Sequence, residues 1–206
     1  HGREAMNEIS RGYLPLEERL NLILPRITSN ELLNNEGLGN EIGFHIFDYP
    51  AEREEVVRDF ISTVIDPALA KHPAKLRFKI VNLFQTVIQL LQDRGLLEKA
   101  IAMQQAKGDE ALMKAIGPVL KEDKLASYLV NQMAVDDLDL VLLTGVGTAY
   151  PLVRLHTLLN GLHPLMKHTP LIVFYPGKYD GVSLRLFGLN ADRSDTNAPY
   201  YRAFQL

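Results

Sequence analysis

The stretch from Leu138 to Gly188 constrains the fold more than any other part of the chain. It reads LDLVLLTGVGTAYPLVRLHTLLNGLHPLMKHTPLIVFYPGKYDGVSLRLFG. A buried strand, a Gly-rich turn and a helix opened by Pro151 are followed by a second buried strand and a turn-forming loop, Tyr175-Pro176-Gly177-Lys178-Tyr179-Asp180-Gly181. Strand, helix and strand in that order make one α/β crossover unit. Functional surfaces on such sheets lie at the carboxyl ends of the strands. Both unusual loops of the segment, Thr144–Thr148 and Tyr175–Gly181, fall at that end.

The rest of the chain is compatible with a single α/β domain built around this unit. With 206 residues, a domain should bury roughly 70% of its unfolded surface and needs no covalent staples. His1 to Ala5 precede Met6 and read as residues left by an expression tag, so the domain is expected over 6–206. The N-terminal segment predicts a helix with Leu16, Leu20, Ile23, Leu24 and Ile27 on one face, ended or kinked at Pro25. The apolar run Phe44-His45-Ile46-Phe47 predicts the first core strand, closed by Asp48-Tyr49-Pro50. A helix opens at Ala51 with the stripe Val56, Val57, Phe60, Ile61, Val64 and Ile65. Lys75 to Leu83 alternates weakly and predicts a second strand. Residues 96–134 are helical throughout, broken at Gly108-Asp109 and Gly117-Pro118, and read as a helical insertion. Val182 to Leu189 alternates and predicts an edge strand, antiparallel through the Gly177–Gly181 turn. The aromatic tail (Tyr200, Tyr201, Phe204) is expected to pack back on the domain. The expected fold is α/β: a mainly parallel sheet of about four or five strands in a Rossmann-like three-layer arrangement.

Composition narrows the chemistry. The chain has no cysteine, which removes disulfides, thiolate nucleophiles and cysteine-based zinc sites together. A formal net charge of −3 gives no electrostatic case for nucleic acid. Lys71, Lys75, Arg77 and Lys79 could form a local basic strip, but the same alternation is what the solvent face of an edge strand gives. No apolar run reaches the roughly 18 residues needed to span a bilayer, and no signal peptide is visible.

Each motif has a chemical reading and a structural one. Gly145, Gly147 and Thr148 follow a strand and precede a helix, where backbone amides can hold an anion. However, the dinucleotide pattern would need glycine at position 150, which is Tyr, and the P-loop pattern is absent from the chain. Arg154 and His156 sit on the following helix. Arg154 faces either a ligand or an ion-pair partner, Asp139 or Asp180. His156, Asn160 and His163 make a polar stripe with no acidic residue between them, which does not fit a metal site. In the Tyr175–Gly181 loop, turn chemistry explains Pro-Gly and Asp-Gly but not two tyrosines. Tyr175 and Tyr179 are either interface anchors or core rings. Asp48 is either a catalytic or Mg²⁺-binding carboxylate or the cap of the helix that begins at Ala51. Asp136, Asp137 and Asp139 lie at the amino end of a strand and read as solvated loop charge. No serine lies in a nucleophile elbow.

The segments TGVGTAYPLVRLHTLL (Thr144 to Leu159) and PLIVFYPGKYDGVSLRLF (Pro170 to Phe187), with FDYP at Phe47 to Pro50, resemble the BrxB family of the bacteriophage exclusion (BREX) defence systems. The resemblance is specific in the C-terminal third and looser before it. It implies a cytoplasmic protein acting with other BREX components: the phosphatase-superfamily protein PglZ, the large ATPase BrxC and the DNA methyltransferase PglX. It carries over no catalytic residues, only family-typical positions: Gly145, Gly147, Pro151, Arg154, His156, Tyr175, Pro176, Gly177, Tyr179 and Gly181. The resulting expectation is a non-enzymatic adaptor with no cofactor and no metal, binding PglZ before other partners. Its partner surface would comprise Arg154, His156, Tyr175, Lys178, Tyr179 and Asp180. The alternative is a degenerate nucleotide-binding protein or switch that uses the 145–148 turn.

Overall fold

The computed structural model describes residues 14–34, 43–179, 184–186 and 203–206. Its centre is a parallel sheet whose strands are too apolar to face water on either side. Strands β1 (Phe44–Asp48) and β4 (Leu171–Tyr175) are buried at every residue, and β3 (Leu140–Thr144) at all but its last. Such continuous burial is the mark of a sheet covered by helices on both faces. With β2 (Phe78–Asn82) and β7 (Ala203–Gln205) the order is β2-β3-β4-β1-β7. Phe44 pairs with Leu171 and Ala203, Val141 with Leu171, and Phe78 with Leu140, all in parallel register.

Alternate residues of β1, β3 and β4 point to two separate apolar layers. Phe47, Leu140, Leu142, Ile172 and Phe174 pack with the N-terminal helices and the helix that follows β1. Phe44, Ile46, Val141, Leu143, Leu171 and Val173 pack with the helices that follow β2 and β3. This is the expected three-layer α/β architecture.

Helix breaks follow from proline and glycine. Helix α1 (Leu16–Asn21) stops at Leu22, and α2 (Ile23–Ile27) then carries Pro25. Pro25 has no N–H to give the Asn21 carbonyl, so the helix is interrupted one turn before the proline itself. A short α3 (Asn30–Leu33) is capped by the Ser29 side chain, which accepts from the Leu32 N–H. After β1, a 3₁₀ turn (Ala51–Arg53) leads into α4 (Glu54–Phe60), a π turn (Ile61–Ile65) and α5 (Asp66–Ala70). The π turn lies immediately before Pro67, whose missing N–H leaves the α-helical ladder incomplete there. The buried face is Val57, Ile61, Ile65 and Leu69. Val56 and Val64 lie outside it, 37% and 38% exposed, so the apolar stripe is narrower than the sequence suggests.

The segment between β2 and β3 holds α6 (Leu83–Asp93), α7 (Leu97–Ile116) and α8 (Glu122–Met133). Gly108, at φ 85°, interrupts α7, and Gly117-Pro118 lies in the turn before α8. Both breaks stand where the sequence places them. Leu125, Ala126, Leu129 and Met133 of α8 are buried in the core. The second half of the 96–134 region is therefore part of the helical layer beside the sheet.

Two expectations need correction. First, Pro151 does not open a helix. After α9 (Val146–Ala149), residues 151–153 form a turn held by the Val153 N–H on the Ala149 carbonyl, and α10 (Leu155–Leu162) begins only after Arg154. Second, β6 (Leu184–Leu186) is antiparallel to β5 (Gly177–Tyr179) as expected, but the two form a separate ribbon and not an edge of the main sheet. The described end of the tail packs back as expected, as a strand, β7, alongside β1, while Tyr200 and Tyr201 lie outside the described residues. The edge role read for 182–189 belongs to β7.

Candidate functional site

At the carboxyl end of β1, four segments distant in sequence converge on one carboxylate. Asp48 is 7% exposed. Its Oδ1 accepts from Arg19 Nη2 of α1 at 2.9 Å, and its Oδ2 accepts from the Tyr179 backbone N–H of β5 at 2.9 Å. Gln205 Nε2 of β7 reaches Oδ1 at 3.5 Å. Arg19 also donates to the Asp48 carbonyl at 2.7 Å, and its guanidinium carbon lies 4.7 Å from the centroid of the Phe47 ring. A carboxylate accepting from a guanidinium and a backbone amide has strong, directional bonds on both oxygens. The helix that follows β1 takes no cap from Asp48, so the capping reading is corrected. Asp48 ties α1, β1, β5 and β7 together.

Next to this node, Tyr49 is 4% exposed, and its hydroxyl donates to a carboxylate oxygen of Glu54. Burial and the Glu54 contact push its ionisation well above the usual tyrosine range. The Tyr49 N–H bonds the Tyr175 carbonyl at 3.0 Å, which extends the β1–β4 pairing one residue past the strand.

The tyrosines of the unusual loop belong to the core. Tyr175 is 2% and Tyr179 6% exposed, both in the layer that holds α8 and α10. Of the two places the sequence left open for these rings, core and interface, their burial fits the core. Lys178 between them is exposed. Asp180 lies outside the described residues.

The glycine turn is explained by local packing. Gly145 has φ 72°, and a Cβ there would stand 2.3 Å from the Asn82 Oδ1. That oxygen already caps α6 by accepting from the Gln85 N–H at 3.1 Å. Glycine is needed both for the left-handed backbone and for room beside Asn82. The helix that follows, with Gly147 and Thr148, has four residues. It presents a much weaker dipole than a full helix would offer an anion.

Arg154 and His156 lie in a different place. Arg154 is exposed at the start of α10 and lines a cleft of about 180 Å³ between that start and the turn into α8. His156 is half-buried on the first turn of α10. Asp139 is not the partner of Arg154. It lies at the amino end of β3, where it accepts from the Arg77 N–H at 2.8 Å and pairs with the Arg77 guanidinium at 3.4 Å. Asp139 is thus more than loop charge, since it anchors the start of the edge strand. The basic strip is partly engaged as well: Lys79 Nζ donates to the Gln132 carbonyl at 3.4 Å, and β2 is the edge strand that the alternation suggests. Among the described residues, no three His, Asp or Glu side chains are placed to hold a metal ion. No helix among them is long and apolar enough to cross a membrane.

The sequence reading missed Arg19, Asn82 and Gln205. Arg19 carried a signal, because it stands three residues after Leu16 and four before Ile23, at a stripe position where an apolar residue is expected.

A family model described as "BREX protein BrxB" matches residues 79–206. The protein named "BREX protein BrxB" from Bacillus cereus (strain H3081.97) is 40% identical over 195 residues, covering 93% of this chain and 97% of the relative. The protein of the same name from Escherichia coli O9:H4 (strain HS) is 40% identical over 192 residues, covering 93% and 91%. No solved structure matches the chain significantly. Identity of this extent across nearly the whole chain, together with the family match over its C-terminal part, places it: the chain belongs to the BrxB family of BREX proteins.

Proposed function

We propose that this BREX component is a non-enzymatic adaptor that binds a partner protein of its defence system, with PglZ the favoured partner. The observation that carries this reading is the state of the strand carboxyl ends. In an α/β sheet that is where chemistry is expected. Here the carboxylate best placed for it, Asp48, is buried and bonded to Arg19 and the Tyr179 N–H, and the loop tyrosines are folded inward. The second glycine motif, at Gly145, is accounted for by Asn82. What the candidate set leaves towards solvent is Arg154, Lys178 and part of His156. That pattern suits recognition better than turnover.

The test is copurification with tagged PglZ, and separately with BrxC and PglX, at about 0.15 M salt, where charges more than about 8 Å apart are largely screened. A stable pair with PglZ is expected. A pair with BrxC or PglX alone would keep the adaptor and change its partner. Failure with all three would refute the adaptor reading.

A further inference from the structure

We infer that the outer edge of β2 is the docking seat of this adaptor, and that it takes up an extended segment of a partner protein in which an acidic residue stands between two apolar ones. The inference rests on the adaptor reading above.

Strand β2 ends the sheet, and among the described residues no strand pairs with its outer side. Its bonds to β3 come from alternate residues. The Arg77 carbonyl accepts from the Asp139 N–H at 2.7 Å and the Leu140 N–H at 3.4 Å, and the Val81 carbonyl accepts from the Thr144 hydroxyl at 3.3 Å. Residues 77, 79 and 81 therefore turn their main-chain groups towards β3, and Phe78 and Ile80 turn theirs outwards. Such an edge is a template for another strand unless proline, a bulge or a charged side chain blocks it. Phe78–Asn82 contains no proline, and its register with β3 is unbroken. The Lys79 side chain is folded onto α8, where its Nζ donates to the Gln132 carbonyl at 3.4 Å.

The surroundings select the occupant. Residues 71–79, KHPAKLRFK, hold Lys71, Lys75, Arg77 and Lys79 and no acid. Arg77 is matched by Asp139. Lys79 meets a neutral carbonyl, and no carboxylate among the described residues pairs with it, with Lys71 or with Lys75. On the other face of the strand, Phe78 and Ile80 are half-buried against the apolar layer that holds α4 and α5. An added strand places its residues directly beside those of β2, on the same faces. Apolar side chains beside Phe78 and Ile80 extend that layer, and an acid between them meets Lys79. A second copy fits poorly: antiparallel pairing of β2 with itself through both Phe78 and Ile80 sets each Lys79 opposite the other, a like-charge pair. The phosphates of a nucleic acid would answer the lysines, but not the outward carbonyls or the apolar rings and branches.

The test takes whichever pair copurifies and reads amide hydrogen exchange with and without the partner. The Phe78 and Ile80 N–H groups should exchange about tenfold or more slowly in the complex than in the chain alone. Ile80→Pro removes an outward donor and no bond to β3, and should weaken the pair about tenfold or more. Lys79→Glu should weaken it about fivefold. Thermal unfolding checks that each variant is folded, and Lys79→Glu, at an exposed position, decides the matter if the proline variant is not. The partner segment that gains protection should carry Asp or Glu between two apolar residues. If the pair forms with no slowing at Phe78 and Ile80, and the folded variants bind within about twofold of the parent, the edge is not the seat and the adaptor reading survives. A protected partner segment without that acid overturns the assigned occupant. Slowing at Phe78 and Ile80 that comes instead with a dimer of this chain, or with duplex DNA and a steep loss on adding salt, overturns the inference in favour of a second copy or a nucleic acid. If no BREX protein binds the parent chain, both readings fall together.

Discussion

Replacing Asp48 by Asn separates the node described here from the helix cap that its sequence position suggests. The amide keeps the shape but offers one acceptor oxygen where the carboxylate offers two. Two donors, Arg19 Nη2 and the Tyr179 N–H, each lie 2.9 Å from a separate carboxylate oxygen. One of them would then face an NH₂ group. The Arg19 side chain is 15% exposed and would also lose its counter-charge. Breaking one side of a buried ion pair costs about 3–5 kcal/mol. Arg19 keeps the Asp48 carbonyl at 2.7 Å and the Phe47 ring, so the lower end, about 3 kcal/mol, is expected. For a domain of this length that lowers Tm by roughly 6–12 °C. Loss of a helix cap would cost about 1 kcal/mol, or some 2–4 °C. Denaturant and thermal unfolding of Asp48→Asn, Arg19→Met and the double variant would measure it. The double variant should cost clearly less than the sum of the singles, because each single leaves the other member of the Arg19–Asp48 pair without its partner and the double leaves neither. A loss of 1 kcal/mol or less in Asp48→Asn, with additive singles, would refute the node.

Other predictions bear on the sheet and its turns. Gly145→Ala should cost about 2 kcal/mol by equilibrium unfolding, from a left-handed alanine and from displacing Asn82 off its cap; Asn82→Ala in the same chain should make the change less than additive. Leu129→Ala, fully buried in α8, should cost about 2–5 kcal/mol, whereas a detachable insertion would lose far less global stability. His45 is 5% exposed on β1, and burial, with the Arg26 charge behind it, holds its pKa down from 6.5 to about 4. The unfolded chain therefore binds the extra proton first. This contribution to stability is full above pH 6.5, falls as pH drops towards 4 and reaches a loss of roughly 3 kcal/mol. His45→Phe should flatten that part of a stability–pH profile measured by urea unfolding, and an unchanged slope would contradict it.

How much could be read beforehand depended on whether the deciding contact was local. Strands β1, β3 and β4 were legible because unbroken apolar runs have few other solutions. The helix breaks near Pro25, Gly108 and Gly117 were legible because they arise from backbone chemistry within a turn. Strand β7 was not, since Ala203–Gln205 is short and the strand it pairs with, β1, lies near the other end of the chain. The same holds at the candidate site. Asp48 reads as a cap from its neighbours, but it is claimed by Arg19, 29 residues earlier, and by Tyr179, 131 residues later. Tyr175 and Tyr179 fit either a surface or a core until β5 is seen to fold against β1. Arg154 was legible as unusual, yet its cleft is completed by Leu125 of α8 and Leu120 of the turn before it, which no spacing within its own segment reveals.

If this BREX protein works by binding, it forms a stable complex with another component of its system. Light scattering after size exclusion, on the chain mixed with PglZ, BrxC or PglX in turn at about 0.15 M salt, tests it most directly. A new species with the summed mass of this chain and PglZ is the expected result. Unchanged elution and mass in all three mixtures would contradict it.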